Sequence, residues 1–167
     1  NSCHNVMMSG EDNRRNSVGV GGKKGGRTAP TVWNAAFNSV QFWDGRAKSL
    51  EEQAIGPMIN PVEMAMDSHD LVISRLRVIP GYVAEFEKVF GKDSVNLGNA
   101  AKAIATYERT LITPNAPFDK YLRGDKKAIS AAAVRGMKSF ENNGCIACHT
   151  GPNFNGADLE MGEGRYL

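Results

Sequence analysis

The sequence predicts an all-α fold, and three observations lead to that class. Residues that cap helices stand before several stretches whose apolar side chains recur at helical spacing. The alternation of apolar and polar residues that marks a half-buried strand is scarce. The composition, 41% hydrophobic and 23% charged over 167 residues, is that of an ordinary globular protein.

The predicted elements begin with a loop and one clear helix. Residues 12–30 are rich in glycine and basic side chains, show no helical periodicity and are expected to form a mobile loop. Ser49 and Glu52 have the spacing of a capping box, which predicts a helix that begins at Ser49 and ends before Asn60 and Pro61. Asn60 and Glu63 repeat this start signal and predict a short helical turn.

Four further helices follow, and a proline pair separates the last of them from the other three. Ser68 and Pro80 begin two packing helices, and residues 97–112 form the clearest amphipathic helix. Pro114 and Pro117 break the pattern, so we expect a domain of residues 1–113 and a second one of residues 114–167. A helix that begins at Ser130 leads to Cys145, and the glycine-rich stretch after it predicts that the second domain is incomplete.

Charge and chain ends narrow the class of protein. The formal net charge of +2 argues against a nucleic-acid partner. The longest apolar runs are far shorter than the ~18 residues of a membrane-spanning helix, and none is predicted. The chain begins at Asn1 without a methionine or a signal-peptide pattern, so we expect that its start has been removed.

The cysteines form the most specific motif. Cys145, Cys148 and His149 read C-I-A-C-H, in which two thiols can attach a haem covalently and the imidazole can bind its iron. A zinc site would need a second ligand pair, and a thioredoxin-like site would need a βαβ pattern; neither is present in the sequence. Cys3 and His4 repeat the last two residues of the motif, and by themselves they fit equally well a second haem site that is cut at the start of the chain and a chance pair.

The sequence resembles the bacterial di-haem cytochrome c peroxidase family, which includes MauG-like relatives. The resemblance covers residues 1–155 and rests on R-T-A-P-T at 27–31, F-W-D-G-R-A at 42–47, L-E-E-Q-A at 50–54, G-P at 56–57, N-P-V-E-M at 60–64, E-R-T-L at 108–111 and T-P-N-A-P-F-D at 113–119. It implies two cytochrome-c-like domains, each with one covalent haem c. The first haem is expected to react with peroxide and the second to receive electrons.

The resemblance also implies roles for single residues. Cys3 and His4 match a thioether cysteine and the proximal ligand of the first haem, and Cys145, Cys148 and His149 match the attachment set of the second. Trp43 matches the tryptophan between the haems. Gln53 and Glu63 match the polar pair over the peroxide site, where a carboxylate can move a proton between the peroxide oxygens. Position alone also allows Glu63 to be a helix cap, Gln53 a solvated residue and Trp43 a core residue.

Four positions depart from the family pattern or extend it. Val20 stands where many members have a histidine that caps the first haem, so we expect that haem to be open in the oxidised state. His69 is interpreted as a solvated residue in the first turn of a helix. Met161 follows His149 too closely to bind the second iron, and that ligand is expected beyond Leu167. Thr28 stands where an asparagine commonly binds calcium, so a calcium site is possible without being predicted.

The resemblance implies a periplasmic enzyme, expected to be a homodimer, that reduces hydrogen peroxide with electrons from a small cytochrome c or a cupredoxin. Two alternatives stay open. A MauG-like enzyme would oxidise a protein side chain, and a di-haem electron carrier would have both irons capped and would not react with peroxide. An open coordination position on the first haem would separate the carrier from the enzymes.

Overall fold

The computed structural model describes residues 2–156, and in that part the protein is helical, as the sequence predicted. The described helices are α1 (Leu50–Ile59), α2 (His69–Arg77), α3 (Pro80–Phe90), α4 (Leu97–Glu108), α5 (Pro117–Leu122) and α6 (Ala131–Asn142). Short 3-10 turns lie at Val20–Gly22, Ala35–Phe37 and Cys145–Ala147. Within residues 2–156 no strand forms, and only isolated pairs such as Val18 and Lys24 bridge in β geometry.

Most of the predicted helix starts are confirmed by their caps. The hydroxyls of Ser49, Ser68 and Ser130 accept hydrogen bonds from the backbone three residues further on, each at 3.1 Å. Asn96 caps α4 in the same way, at 2.9 Å. Each cap satisfies an N–H group that has no partner inside its own helix.

A short turn forms after Asn60, as predicted, with the Glu63 N–H donating to the Asn60 carbonyl at 3.0 Å, and it does not continue into a helix. One segment differs from the prediction. Pro117, interpreted as a helix breaker, is also the first residue of α5, where its lack of an N–H group costs nothing. The Asp119 carboxylate accepts the Ala116 N–H at 2.9 Å and completes the start of this missed helix.

The core lies between α1 and α4, where small side chains let the helix backbones approach closely. Ala105 of α4 is fully buried beside Leu50 of α1. Arg109 and Glu51 join the two helices at the surface through two hydrogen bonds of 2.7 and 3.0 Å. A second cluster around Ile73 connects α2 and α3 to the start of α4.

The glycine loop, residues 17–27, is held by its own hydrogen bonds. The Ser17 N–H donates to the Arg27 carbonyl at 3.2 Å, and the Gly25 N–H donates to the Ser17 carbonyl at 2.8 Å. The Gly19 N–H donates to the Lys23 carbonyl at 2.8 Å. The glycine loop therefore has a defined conformation, in which the 3-10 turn Val20–Gly22 is the one helical element.

Residues 114–156 carry α5 and α6, neither of which has a buried side chain. Asn153 reaches back to the first part of the chain and donates to the Asn34 carbonyl and the Asn38 side chain, both at 2.8 Å. The division at residue 113 stays a prediction, and Met161 lies outside the described residues. Across residues 2–156 every helix is too short or too polar to cross a bilayer.

Candidate functional site

Cys3 and His4 lie at the start of the chain, next to the glycine loop. The half-buried Cys3 thiol points to the Val18 carbonyl, with its Sγ 3.7 Å from that oxygen. The His4 Nδ1 atom is buried and has no hydrogen-bond partner within residues 2–156. A buried polar nitrogen without a partner is costly, so this imidazole fits a site that a further group completes. A thiol beside an imidazole is part of the donor set that haem c uses, which has a second thiol as well.

The second cysteine motif occupies a turn after α6. Cys145 begins the 3-10 turn, and the N–H groups of Cys148 and His149 both donate to its carbonyl, at 3.2 and 2.9 Å. Both thiols are exposed and free of disulfides. The His149 Nδ1 lies 3.0 Å from the Phe154 carbonyl. Because a carbonyl only accepts, Nδ1 carries the proton and Nε2 keeps its lone pair for a metal.

Glu63 lines a cavity of about 280 Å³ between α1 and the segment before it. Its Oε1 accepts a hydrogen bond from the Asn60 side chain at 2.7 Å, and Asn60 Oδ1 accepts the Val62 N–H at 3.1 Å. Asn60 therefore orients the carboxylate from within the turn. The other carboxylate oxygen of Glu63 has no hydrogen bond to the described residues and is available to a molecule in the cavity.

The other two residues of the predicted catalytic site, Gln53 and Trp43, do not line this cavity. Gln53 is half-buried on α1 and is not among the residues that line this cavity. Glu52 lines it instead, but one of its carboxylate oxygens accepts the Lys48 N–H at 2.8 Å as part of the helix cap. Trp43 is 53% exposed, and its indole N–H donates to the Thr28 carbonyl at 2.9 Å.

Phe42 and Arg46 line the cavity, although the sequence analysis assigned no role to either of them. The Arg46 guanidinium lies 3.5 Å from the centre of the Phe42 ring, and both residues line the cavity beside Glu63. Burial of Asp44 opposes its ionisation, but hydrogen bonds from Arg46 at 2.7 and 2.8 Å outweigh it and lower the Asp44 pKa. The F-W-D-G-R-A motif carried these residues, but motif spacing alone does not indicate which side chain faces the cavity.

His69 lies in the first turn of α2, as predicted, but the prediction that it is solvated is wrong. The ring is half-buried, and its Nε2 donates to the Ile55 carbonyl at 2.9 Å, which ties α2 to α1. The Val20 side chain is 50% exposed, while its backbone N–H donates to the Glu63 carbonyl at 2.8 Å. Within residues 2–156 no three His, Cys, Asp or Glu side chains are gathered as a metal site. Calcium binding therefore stays untested.

Comparison with known proteins shows which family the chain resembles. Residues 1–127 match the family described as di-haem cytochrome c peroxidase. The chain is 52% identical to cytochrome c551 peroxidase of Pseudomonas aeruginosa, over 93% of this chain and 45% of that protein. It is 42% identical to the methylamine utilization protein MauG of Methylorubrum extorquens, over 89% of this chain and 42% of that protein.

A solved structure has the same fold as this chain. It is the crystal structure of a MauG-like protein associated with microbial copper homeostasis, with a TM-score of 0.81 and 23% identity over 98% of this chain and 49% of that one. The chain spans less than half the length of the two curated relatives above. Because the family match covers residues 1–127 of 167, the chain belongs to the di-haem cytochrome c peroxidase family.

Proposed function

We propose that the protein reduces hydrogen peroxide to water, consuming two protons and two electrons for each peroxide and releasing two water molecules. The observation that carries the proposal is the Glu63 carboxylate, which lines a cavity and is oriented there by Asn60. Family membership implies haem cofactors, and the identity to a cytochrome c551 peroxidase supports this reaction.

Covalent attachment as haem c is part of the proposal. Cys3 and His4 would hold the first haem, and Cys145, Cys148 and His149 the second. The free thiols and the Nδ1 proton of His149 support this assignment, because thioether formation needs free thiols and iron ligation needs a free imidazole nitrogen. When bound, haem supplies the redox-active iron at which peroxide is reduced.

Glu63 carries out the proton transfer in this proposal. Its free carboxylate oxygen takes a proton from one peroxide oxygen and gives it to the other, which leaves as water. Asn60 holds the carboxylate in place during the transfer. Gln53 is proposed to hydrogen-bond peroxide or water, and the exposed indole of Trp43 is proposed to lie on the electron path.

The donor, the compartment and the assembly are proposals from the family. Electrons would come from a small cytochrome c or a cupredoxin, in the periplasm, where bacteria attach haem c, and the enzyme would be a homodimer. The 42% identity to a MauG protein favours a second candidate, the oxidation of a protein side chain by the same site.

The test is steady-state peroxide reduction by the full-length protein with a reduced cytochrome c, for wild type and Glu63→Gln. Glutamine keeps the hydrogen bond from Asn60 but cannot move a proton, so we expect turnover to fall at least ~100-fold. Both haems should stay bound, as shown by the absorption spectrum.

The control is Glu85→Gln, which makes the same chemical change on an exposed carboxylate of α3 and should leave turnover unchanged. Turnover of Glu63→Gln within threefold of wild type would remove Glu63 from the mechanism. A wild-type protein that does not turn over peroxide, whether fully oxidised or reduced by one electron, would favour the MauG-like candidate or a di-haem electron carrier.

A further inference from the structure

Gly19 lies directly against the backbone of the turn that carries Glu63. A Cβ atom built on Gly19 would collide with the Val62 carbonyl oxygen. It would also lie 2.6 Å from the Glu63 carbonyl oxygen and 2.8 Å from the Glu63 Cα. Of the glycines in this loop, Gly21, Gly22 and Gly26 have open space at the same position, so the close approach is specific to Gly19.

The approach allows the glycine loop to bond to the Glu63 turn at two points. The Val20 N–H donates to the Glu63 carbonyl at 2.8 Å, and the Lys23 ammonium donates to the Pro61 carbonyl at 3.1 Å. Two residues before Val20, the Val18 carbonyl faces the Cys3 thiol. The glycine loop therefore connects the first cysteine motif to the residue that lines the cavity.

We propose that Gly19 is a positioning residue, which lets the Val20 N–H hold the Glu63 backbone and so sets where the Glu63 carboxylate lies in the cavity. The inference rests on the proposed function, because it assigns a task to the carboxylate. It concerns the backbone of the glycine loop and is independent of which side chain stands at position 20. Any residue other than glycine at position 19 has to separate the loop from the turn.

The size of the effect follows from the contact distances. With alanine at position 19, the Glu63 Cα has to retreat by roughly 0.6 Å to reach ordinary van der Waals contact, and the Val62 carbonyl has to move further. A displacement of about 1 Å in a reacting group costs on the order of 100-fold in rate. We therefore expect Gly19→Ala to lower kcat by about 10-fold to 100-fold with both haems retained.

The matched control is Gly25→Ala in the same loop. A Cβ on Gly25 meets its nearest atoms, the carbonyl oxygens of Ser17 and Arg27, at ordinary distances of 3.5 and 3.6 Å. We expect this variant to keep wild-type kcat, thermal stability and haem content. Equal losses in both alanine variants would show a general effect of stiffening the loop and would overturn the assignment to Gly19.

A double-mutant cycle separates positioning from simple structural damage. If Gly19 acts through Glu63, Gly19→Ala should cost nothing further in a Glu63→Gln background. A loss in that background as large as in wild type would refute the proposal. Amide hydrogen exchange supplies a readout that does not depend on turnover. The Val20 amide should be protected in wild type and Gly25→Ala and exchange faster in Gly19→Ala.

A second pair of variants covers the case in which Gly19→Ala does not fold. Val20→Pro removes the donor to the Glu63 carbonyl, whereas Val20→Ala keeps it. Gly19 is extended, with φ −92° and ψ −159°, and so lies outside the helical region that proline disfavours for the residue before it. We expect a kcat loss only in Val20→Pro, and equal kcat in Val20→Pro and Val20→Ala would overturn the proposal.

The failure of this proposal can be distinguished from the failure of the proposed function. A wild-type protein without peroxide turnover would refute the proposed function. An unprotected Val20 amide in wild type would refute the hydrogen bond between the Val20 N–H and the Glu63 carbonyl.

Discussion

Glu108, in the last turn of α4, gives the prediction with the clearest physical basis. One of its carboxylate oxygens is buried and has no hydrogen-bond partner within residues 2–156. Burial raises the pKa of Glu108, and the nearby Glu51 carboxylate raises it further, against the opposing charge of Arg109. We therefore expect Glu108→Gln to stabilise the protein at neutral pH.

The direction of this stability change follows from the linkage between proton binding and folding. A carboxyl whose pKa is raised on folding contributes stability below the unfolded pKa of about 4.5, and that contribution is lost as the pH rises through the folded pKa. Glutamine does not ionise, so the gap between the variant and wild type opens above pH 4.5 and levels off at neutral pH. Leaving a buried charged group without a partner costs more than leaving a neutral polar group without one, and glutamine removes only that charge-dependent part. Because Glu108 is only partly buried, we expect about 1 kcal/mol.

The assay is thermal unfolding of the holoprotein between pH 4 and pH 8. A gain of about 1 kcal/mol corresponds to a Tm increase of roughly 2 to 4 °C in a protein of this size. The control is Glu51→Gln, with the opposite sign. Hydrogen bonds from Arg109 lower the pKa of Glu51, so its contribution is present above the unfolded pKa and is lost as the pH falls through the folded pKa. This variant should be less stable than wild type at neutral pH by less than ~1 kcal/mol.

Two outcomes would contradict this prediction. Glu108→Gln with a lower Tm than wild type at pH 7 would mean that the carboxylate is stabilised by a partner. A Tm difference of equal size at every pH would mean that packing, and not ionisation, separates the two proteins.

Two further predictions concern the haems. In the full-length protein, the Cys145→Ser/Cys148→Ser double variant should release about half of its haem into acidified organic solvent, because only thioether bonds resist that extraction; unchanged haem retention would contradict covalent attachment at these thiols. Oxidised wild type should show a high-spin first haem and immediate peroxide turnover, since valine at position 20 cannot bind iron. Val20→His should give a low-spin first haem at rest and a lag that one-electron reduction removes, and a low-spin wild-type spectrum at rest would show that another group caps the iron.

Local signals predicted the helices well, and they failed where one residue can act in two ways. The caps at Ser49, Ser68 and Ser130 need only a hydroxyl and the backbone three residues away, so the sequence contains the whole interaction. Pro117 was interpreted only as the end of the preceding helical pattern. It is also the first residue of α5, and this second function was missed because proline is typical of both positions. The turn after Asn60 has the side-chain bonds of a helix start without a helix to follow.

The candidate site was predicted only in part. The motifs led to Glu63, which lines a cavity, and to Gln53, which does not line it. Phe42 and Arg46, which form part of the cavity wall, belong to the F-W-D-G-R-A motif. The motif did not indicate this role, because the direction of a side chain in a loop depends on packing. The hydrogen-bond partner of His69 is the Ile55 carbonyl, which lies on another helix. Residues next to His69 in the sequence do not indicate this contact, and His69 was therefore interpreted as solvated.

Sequence alone was enough to predict the helical class, the helix starts and the two cysteine motifs, because these depend on neighbours within about four residues. The contact of Gly19 with the turn of Glu63, more than forty residues away, was decided by the tertiary structure. The unpartnered oxygen of Glu108 was decided in the same way. Burial and close approach are properties of the packed chain, and no local pattern of residues records them.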